Sequence, residues 1–288
     1  MSWVSIDEEQ CTMCGLCLTR CERCYSEKDG IIFVQANETT CSLCGHCVAL
    51  CPAVAITHQK MNMNNFIKLD KEDEITPNQF IEHIRKRRSH RNFRNKEISR
   101  DVMETLVDIS RYAPTGSNVQ NVEIMVIQDR KKIKKLSGLT LDSFDKAMVV
   151  INRKIDQLEA EGKEVPGDLR YSMDVLKGRK ERGMVKESGK DPIFHNAPTV
   201  MIFHSPEFTS APKDNCVIAS TMVTLMAMTL GLESCYIGIF EAAAGYRPII
   251  EELSLPPGNK IFSVLILGYP KIKYLRAVDR KPIKTQWL

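Results

Sequence analysis

Between residues 77 and 288 the apolar positions fall into helical and strand periods that alternate along the chain. Thr76 followed by Pro77 reads as an N-cap and a first-turn proline, after which Phe80, Ile81 and Ile84 share one helical face up to a basic cluster. Ser99 caps a second pattern, in which Val102, Met103, Leu106, Val107 and Ile109 keep helical period as far as Tyr112, before Pro114. Short apolar runs at residues 122–127, 199–203, 234–239 and 261–267 predict strands, and residues 212–230 predict a long apolar helix. Cys216, Met222, Met226 and Met228 on that helix, and Cys235 on the next strand, are expected to fill core. Two amphipathic patterns, about 143–161 and 169–187, are joined by Val165-Pro166-Gly167-Asp168 inside an expected helical insertion at about 137–195. The pattern as a whole is α+β, or a three-layer α/β/α arrangement.

The first sixty residues follow no such pattern. Their apolar content is broken by cysteines, and residues 58–76 are polar and rich in Asn and charge. A chain of 288 residues with 43% hydrophobic residues has room for two cores. The expected division is a domain at 1–60, a linker at 61–76 and a domain at 77–288. No run approaches the roughly 20 apolar residues that span a bilayer, and the first ten residues carry acids where a signal peptide carries bases. No membrane association and a cytoplasmic location are therefore expected.

Net charge is +4, too small to argue for a nucleic-acid partner through the basic stretch 85–94. The charge is divided, with four bases against seven acids before residue 61, then 36 bases against 29 acids. Opposite signs on two tethered domains weakly favour their docking.

Nine of eleven cysteines precede residue 52. Cys11, Cys14, Cys17 and Cys21 form C-x2-C-x2-C-x3-C, and Cys41, Cys44, Cys47 and Cys51 repeat it at an offset of thirty, with Gly15 and Gly45 in register. Three closely spaced cysteines wrap three corners of a 4Fe-4S cubane while the fourth reaches the neighbouring cluster. Two clusters follow, one on Cys11, Cys14, Cys17 and Cys51, the other on Cys41, Cys44, Cys47 and Cys21. Zinc sites and a disulfide framework fit poorly, because zinc ribbons separate their CxxC pairs widely and a chain without a signal keeps its thiols reduced. The first run continues to Cys24, which either replaces Cys21 as ligand or is a spare buried thiol. Together with Cys51-Pro52 and the apolar run 31–34 after Gly30, residues 1 to about 60 resemble two-cluster bacterial ferredoxins. Such clusters move single electrons, so the bond chemistry is expected downstream.

Arg87-Arg88-Ser89-His90-Arg91 gathers guanidinium and hydroxyl donors where the first helix of the second domain ends, a group suited to a phosphate. A solvated face complementing the helix dipole is the plain alternative. Ala113-Pro114-Thr115-Gly116-Ser117-Asn118-Val119-Gln120 is a turn-rich loop with amides that can read the edge of a planar ring, or an ordinary helix-to-strand turn. With His195-Asn196-Ala197-Pro198, Gly231-Leu232-Glu233-Ser234-Cys235-Tyr236-Ile237-Gly238, and Leu267-Gly268-Tyr269-Pro270 followed by Arg280-Lys281-Pro282, these motifs stand in the order seen in the nitroreductase family, which residues 77–288 resemble.

The resemblance implies a nitroreductase-like α+β domain that binds FMN as an obligate homodimer. Arg87, Arg88, Ser89 and Arg91 would hold the phosphate and ribityl chain, with Arg280 and Lys281 returning to the phosphate. Pro114, Thr115, Gly116 and Asn118 would approach the flavin from the partner subunit, although Asn121 stands where many relatives have proline. Backbone amides of Ile237, Gly238 and Ile239 would lie near the reactive nitrogen, and no catalytic side chain is assigned. Tyr171, Met173, Phe194 and His195 are candidates for a substrate pocket. The expected activity is transfer of electrons from the clusters to FMN and on to an electron-poor small organic acceptor, with a low-potential donor such as ferredoxin. The alternatives are an ene-reductase, dehalogenase or flavin reductase on the same scaffold, and an electron-transfer protein with a protein partner.

Overall fold

A computed structural model describes residues 2–186 and 191–288, so Glu187 itself, the expected last residue of a helix, lies outside the described residues. The chain divides into two compact units, Met1–Thr76 with Ser117–Val119, and Pro77–Gly116 with Gln120–Leu288.

In the first unit β1 (Val4–Ile6) pairs antiparallel with β4 (Ile56–His58), and β2 (Tyr25–Lys28) with β3 (Ile31–Val34). Two short helices, α1 (Leu16–Arg20) and α2 (His46–Ala49), each follow a left-handed glycine, Gly15 at φ 72° and Gly45 at φ 68°. Met13 and Leu43 are left-handed too, at φ 54° and 53°. The sequence repeat is thus a repeat of backbone conformation, each cysteine loop turning left-handed twice before it enters a helix. A side chain at Gly45 would be strained by its φ and would also meet the Phe66 ring, 3.1 Å from an added Cβ. Phe66 and Met63 pack on a small core of Val4, Tyr25, Ala36, Val48 and Ile56. Residues 61–76, expected as a linker, therefore group with the first unit. Two apolar anchors in a polar segment do this, and average composition hides them.

The second unit opens with α3 (Pro77–Lys86) and α4 (Arg100–Ser110), then β5 (Glu123–Ile127), α5 (Arg130–Ala160) and α6 (Gly167–Glu181). It continues with β6 (Thr199–Pro206), α7 (Pro212–Thr229), β7 (Glu233–Tyr236), α8 (Gly238–Ala243), α9 (Arg247–Leu253) and β8 (Asn259–Gly268). The four strands form one antiparallel sheet in the order β5-β6-β8-β7. Alternation along the two central strands sorts their residues onto two cores. Val200, Ile202, Val264 and Ile266 pack with Ile133, Leu136, Phe240 and Ile249 of α5, α8 and α9. Met201, Phe203, Leu265 and Leu267 pack with Met103 and Leu106 of α4 and Cys216, Ala219 and Val223 of α7. The result is an α+β unit with helices on both faces of its sheet. Each large apolar side chain buried there contributes roughly 1.5–3 kcal/mol, and both faces are buried, so the central strands read as continuous apolar runs.

Four expectations are corrected. The helix expected at 143–161 starts thirteen residues earlier, at Arg130, where the Asp129 side chain caps Lys131 and Lys132 N–H. The strand expected at 234–239 ends at Tyr236, and its β-branched continuation turns into α8. The helix expected at about 169–187 ends at Glu181, followed by Arg182 and a turn at the left-handed Gly183. The apolar face of α3 is left uncovered by the described residues, with Phe80, Ile81 and Ile84 all exposed by more than 40%. Among the described residues no helix is long and apolar enough to cross a membrane.

Candidate functional site

Two cavities in the first unit divide the cysteines. Cys11, Cys14, Cys17 and Cys51 line one; Cys21, Cys41, Cys44 and Cys47 line the other, of about 490 Å³, together with Cys24. The last cysteine of each run faces the cavity of the other run. Side chains around the first cavity are mostly apolar, among them Ile6, Leu16, Ile32 and Ile56, whereas the second also meets Arg20, Arg23, His46 and His58. Tyr25 is buried beside the Cys47 thiol, and its hydroxyl has no hydrogen-bond partner among the described residues. Burial pushes the Tyr25 hydroxyl up and the His58 imidazole down, which keeps both neutral near pH 7. Four thiols around the second cavity, with Tyr25 and His58 beside them, suit an iron-sulfur cubane, and the first cavity, of about 20 Å³, carries a matching set of four thiols. No group of three His, Cys, Asp or Glu among the described residues is placed to hold a single ion. Cys24 is the exception in its set, since its Sγ donates to the Thr40 carbonyl at 3.3 Å.

In the second unit the chain leaving α3 runs beside β7. Ser89 forms a bridge with Ser234, His90 N–H donates to the Ser234 carbonyl at 3.0 Å, and Arg94 N–H donates to Tyr269 at 2.8 Å. This course brings the Ser89 hydroxyl against Cys235, within the electrostatic reach of Arg87 and Arg91, and Arg91 also acts on His195 through its charge. The His195 turn is held from behind by Asp191, whose carboxylate accepts the N–H groups of Ile193, Phe194 and Asn196 and the Ser137 hydroxyl. Arg130 holds the carbonyls of Asn196 and Ala197, both at 3.0 Å. Neither Asp191 nor Arg130 stands out in the sequence, although Asp191 precedes the His195 motif closely. Arg88 turns its Nη1 back onto the carbonyls of Arg85 and Arg87, leaving its Nε buried without a hydrogen-bond partner among the described residues, as is His90 Nδ1. One orphaned guanidinium donor, on Arg88, in a run that also carries Arg87 and Arg91, fits an anion such as a phosphate.

Other expected site residues lie elsewhere. Ile237 N–H donates to the Val264 carbonyl at 2.9 Å, so this amide is committed to the sheet, and only Gly238 and Ile239 of that trio open α8. Gly116 N–H donates to the buried Asn215 Oδ1 at 2.9 Å, and Thr115 Oγ1 accepts Gln120 N–H, which ties the loop after Pro114 to the start of α7. Asn118, grouped with the first unit, donates to the carbonyls of Ser42 and Leu43. Arg280 and Lys281 lie in an extended, exposed tail. Met173 and Phe194 are core residues, Phe194 against Phe240, while Tyr171 is exposed and His195 half-buried.

His90 and Glu233, which stand in two of the sequence motifs without a role assigned to them, form a largely buried contact of 3.4 Å. Burial raises the Glu233 carboxyl to about 7 against the pull of Arg87 and Arg88, while burial and Arg88 push His90 below its usual range. A carboxyl raised above its ordinary 4.5 favours the folded state below that pH and loses the contribution as pH rises through about 7. His90 acts in the opposite sense, losing stability as pH falls below 6.5. Glu233→Gln is therefore expected to gain stability relative to the parent between pH 5 and pH 8, by at most about 3 kcal/mol. Denaturant unfolding at both pH values checks this, and a constant difference contradicts it.

A family model described as the nitroreductase family matches residues 84–269. A curated Archaeoglobus fulgidus protein, provisionally named NADH dehydrogenase/NAD(P)H nitroreductase, is 22% identical over 189 residues, 64% of this chain and 82% of its own. Among solved structures, a Bacteroides fragilis nitroreductase with bound FMN matches at 21% identity and TM-score 0.51, covering 71% of this chain and 94% of its own. A Desulfitobacterium hafniense nitroreductase with bound FMN matches at 18% and 0.53, covering 73% and 100%. A BluB-like flavoprotein of Clostridium difficile matches at 19% and 0.53, covering 70% and 94%. These likenesses agree on the α+β fold of the second unit, and with the family match, which takes in most of that unit and more than half of the sequence, the chain belongs to the nitroreductase family of oxidoreductases.

Proposed function

We propose that this chain is an FMN-dependent oxidoreductase in which two 4Fe-4S clusters deliver electrons to the flavin for reduction of an electron-poor organic acceptor, a nitro compound first. The observation that carries this reading is the crossed sorting of eight cysteines into two cavities on a chain that also holds a nitroreductase-family unit. When bound, FMN supplies the conversion between one-electron and two-electron chemistry. Arg87, Ser89 and Arg91 hold its phosphate, Arg88 fixes the turn that presents them, and Gly238 and Ile239 lie near its ring. The two FMN-bound relatives support that cofactor.

The protein acts as a homodimer in the cytoplasm. Within one chain the loop after Pro114 is tied to α7, and the apolar face of α3 is uncovered, both of which a second copy would use. Arg280 and Lys281 join the phosphate site of the assembled dimer. The donor is a low-potential one-electron protein such as ferredoxin, since clusters are superfluous for direct hydride transfer. Tethering places them at high effective concentration near the flavin.

Anaerobic stopped-flow spectroscopy tests the reading. Chemically reduced protein carrying clusters and FMN is mixed with a nitroaromatic acceptor, and the cluster absorbance is expected to recover with the flavin during turnover. Clusters that stay reduced while the acceptor is consumed would sink it.

A further inference from the structure

The two cysteine cavities are built differently, and the difference centres on one side chain. His58, at the end of β4, is 1% exposed, and its Nε2 lies 3.5 Å from Cys41 Sγ. The other ring nitrogen fixes the direction of that contact. Lys60 N–H donates to His58 Nδ1 at 3.1 Å, so Nδ1 is the acceptor and the neutral ring carries its proton on Nε2, directed at the sulfur. His58 N–H is itself placed against Met63 Sδ, which helps hold the residue in position.

A second donor faces the same cavity, because the buried Tyr25 hydroxyl stands beside the Cys47 thiol with no other partner among the described residues. Arg20 and Arg23 add positive charge to the lining. Around the first cavity the non-cysteine side chains are apolar apart from Thr12, none of them is a charged or ring donor, and the donor placed on a thiol there is a backbone one, Ala55 N–H on Cys51 Sγ at 3.4 Å. The repeat counterpart of His58, thirty residues earlier, is the exposed Lys28.

Hydrogen bonds to cluster sulfurs and nearby positive charge favour the reduced, more negative state of a cluster and raise its potential. We infer that His58, as a positioning and tuning residue acting through Cys41, makes the cluster on Cys21, Cys41, Cys44 and Cys47 easier to reduce than the cluster on Cys11, Cys14, Cys17 and Cys51. The two clusters are inequivalent, and the first added electron rests on the second. This inference rests on the cluster reading above.

An anaerobic redox titration of the full chain, followed by electron paramagnetic resonance, tests it. Two separate reduction waves are expected for the parent. His58→Leu should shift the upper wave to lower potential and leave the lower one in place. His58→Gln keeps an N–H donor and should retain much of the original separation. Iron analysis of each sample separates the two levels of the reading. If the parent holds no clusters, the functional reading fails; if every sample holds about eight iron atoms and neither wave moves in His58→Leu, or both move together, the role of His58 is overturned while the clusters stand.

Discussion

Cys51→Ala is expected to lower the iron content of the anaerobically prepared protein from about eight atoms per chain to about four. Turnover driven by a one-electron donor should fall to background. By sequence Cys51 belongs to the second run, yet the proposed cluster expected to be lost is the one on Cys11, Cys14 and Cys17, because Cys51 lines their cavity. Its sulfur is also placed to accept the Ala55 N–H at 3.4 Å, a bond that holds a ligand thiolate in position. The surviving signal should be the one sensitive to His58. Cys24→Ala should keep all the iron, since that thiol is engaged with the Thr40 carbonyl. Loss of iron in Cys24→Ala and its retention in Cys21→Ala would reverse the choice between them.

The sorting of the thiols into two cavities agrees with the spacing, which sets which three thiols a tight loop can present together, and Gly15 and Gly45 mark the turns. What surrounds the thiols could not be read from the sequence. His58 and Tyr25 carry no motif, and His58 stood at the edge of a stretch read by its average polarity. In the second unit the central strands were legible because both faces of β6 and β8 are buried and the apolar run is continuous. Strand β7 was overextended for a related reason. Ile237 and Ile239 continue a β-branched pattern, and nothing apolar marks the start of α8 at Gly238. The early start of α5 had a local signal, Asp129 before a basic first turn, that periodicity alone passes over. The exposed face of α3 is a different case. Its pattern correctly predicts an amphipathic helix, but a period cannot say whether the covering surface belongs to the same chain.

Arg87→Ala is expected to weaken FMN binding by about 10- to 100-fold, the loss of one charge-assisted hydrogen bond of roughly 1.5–3 kcal/mol. The charge of Arg87 acts on Glu233 and Cys235 of β7, favouring the charged form of each. Arg88 differs, since its Nη1 is bonded to two carbonyls of its own turn, and Arg88→Ala should cost stability as well as affinity. Arg87→Lys restores charge without the planar fork and should recover only part of the affinity. Titrating the flavin-free protein with FMN and with riboflavin, followed by quenching of flavin fluorescence, isolates the phosphate. Riboflavin lacks that group, so its affinity should be nearly the same in the parent and in Arg87→Ala. Equal weakening toward both flavins would place Arg87 against the ring or the fold, and unchanged FMN affinity would move the phosphate away from the α3 exit altogether.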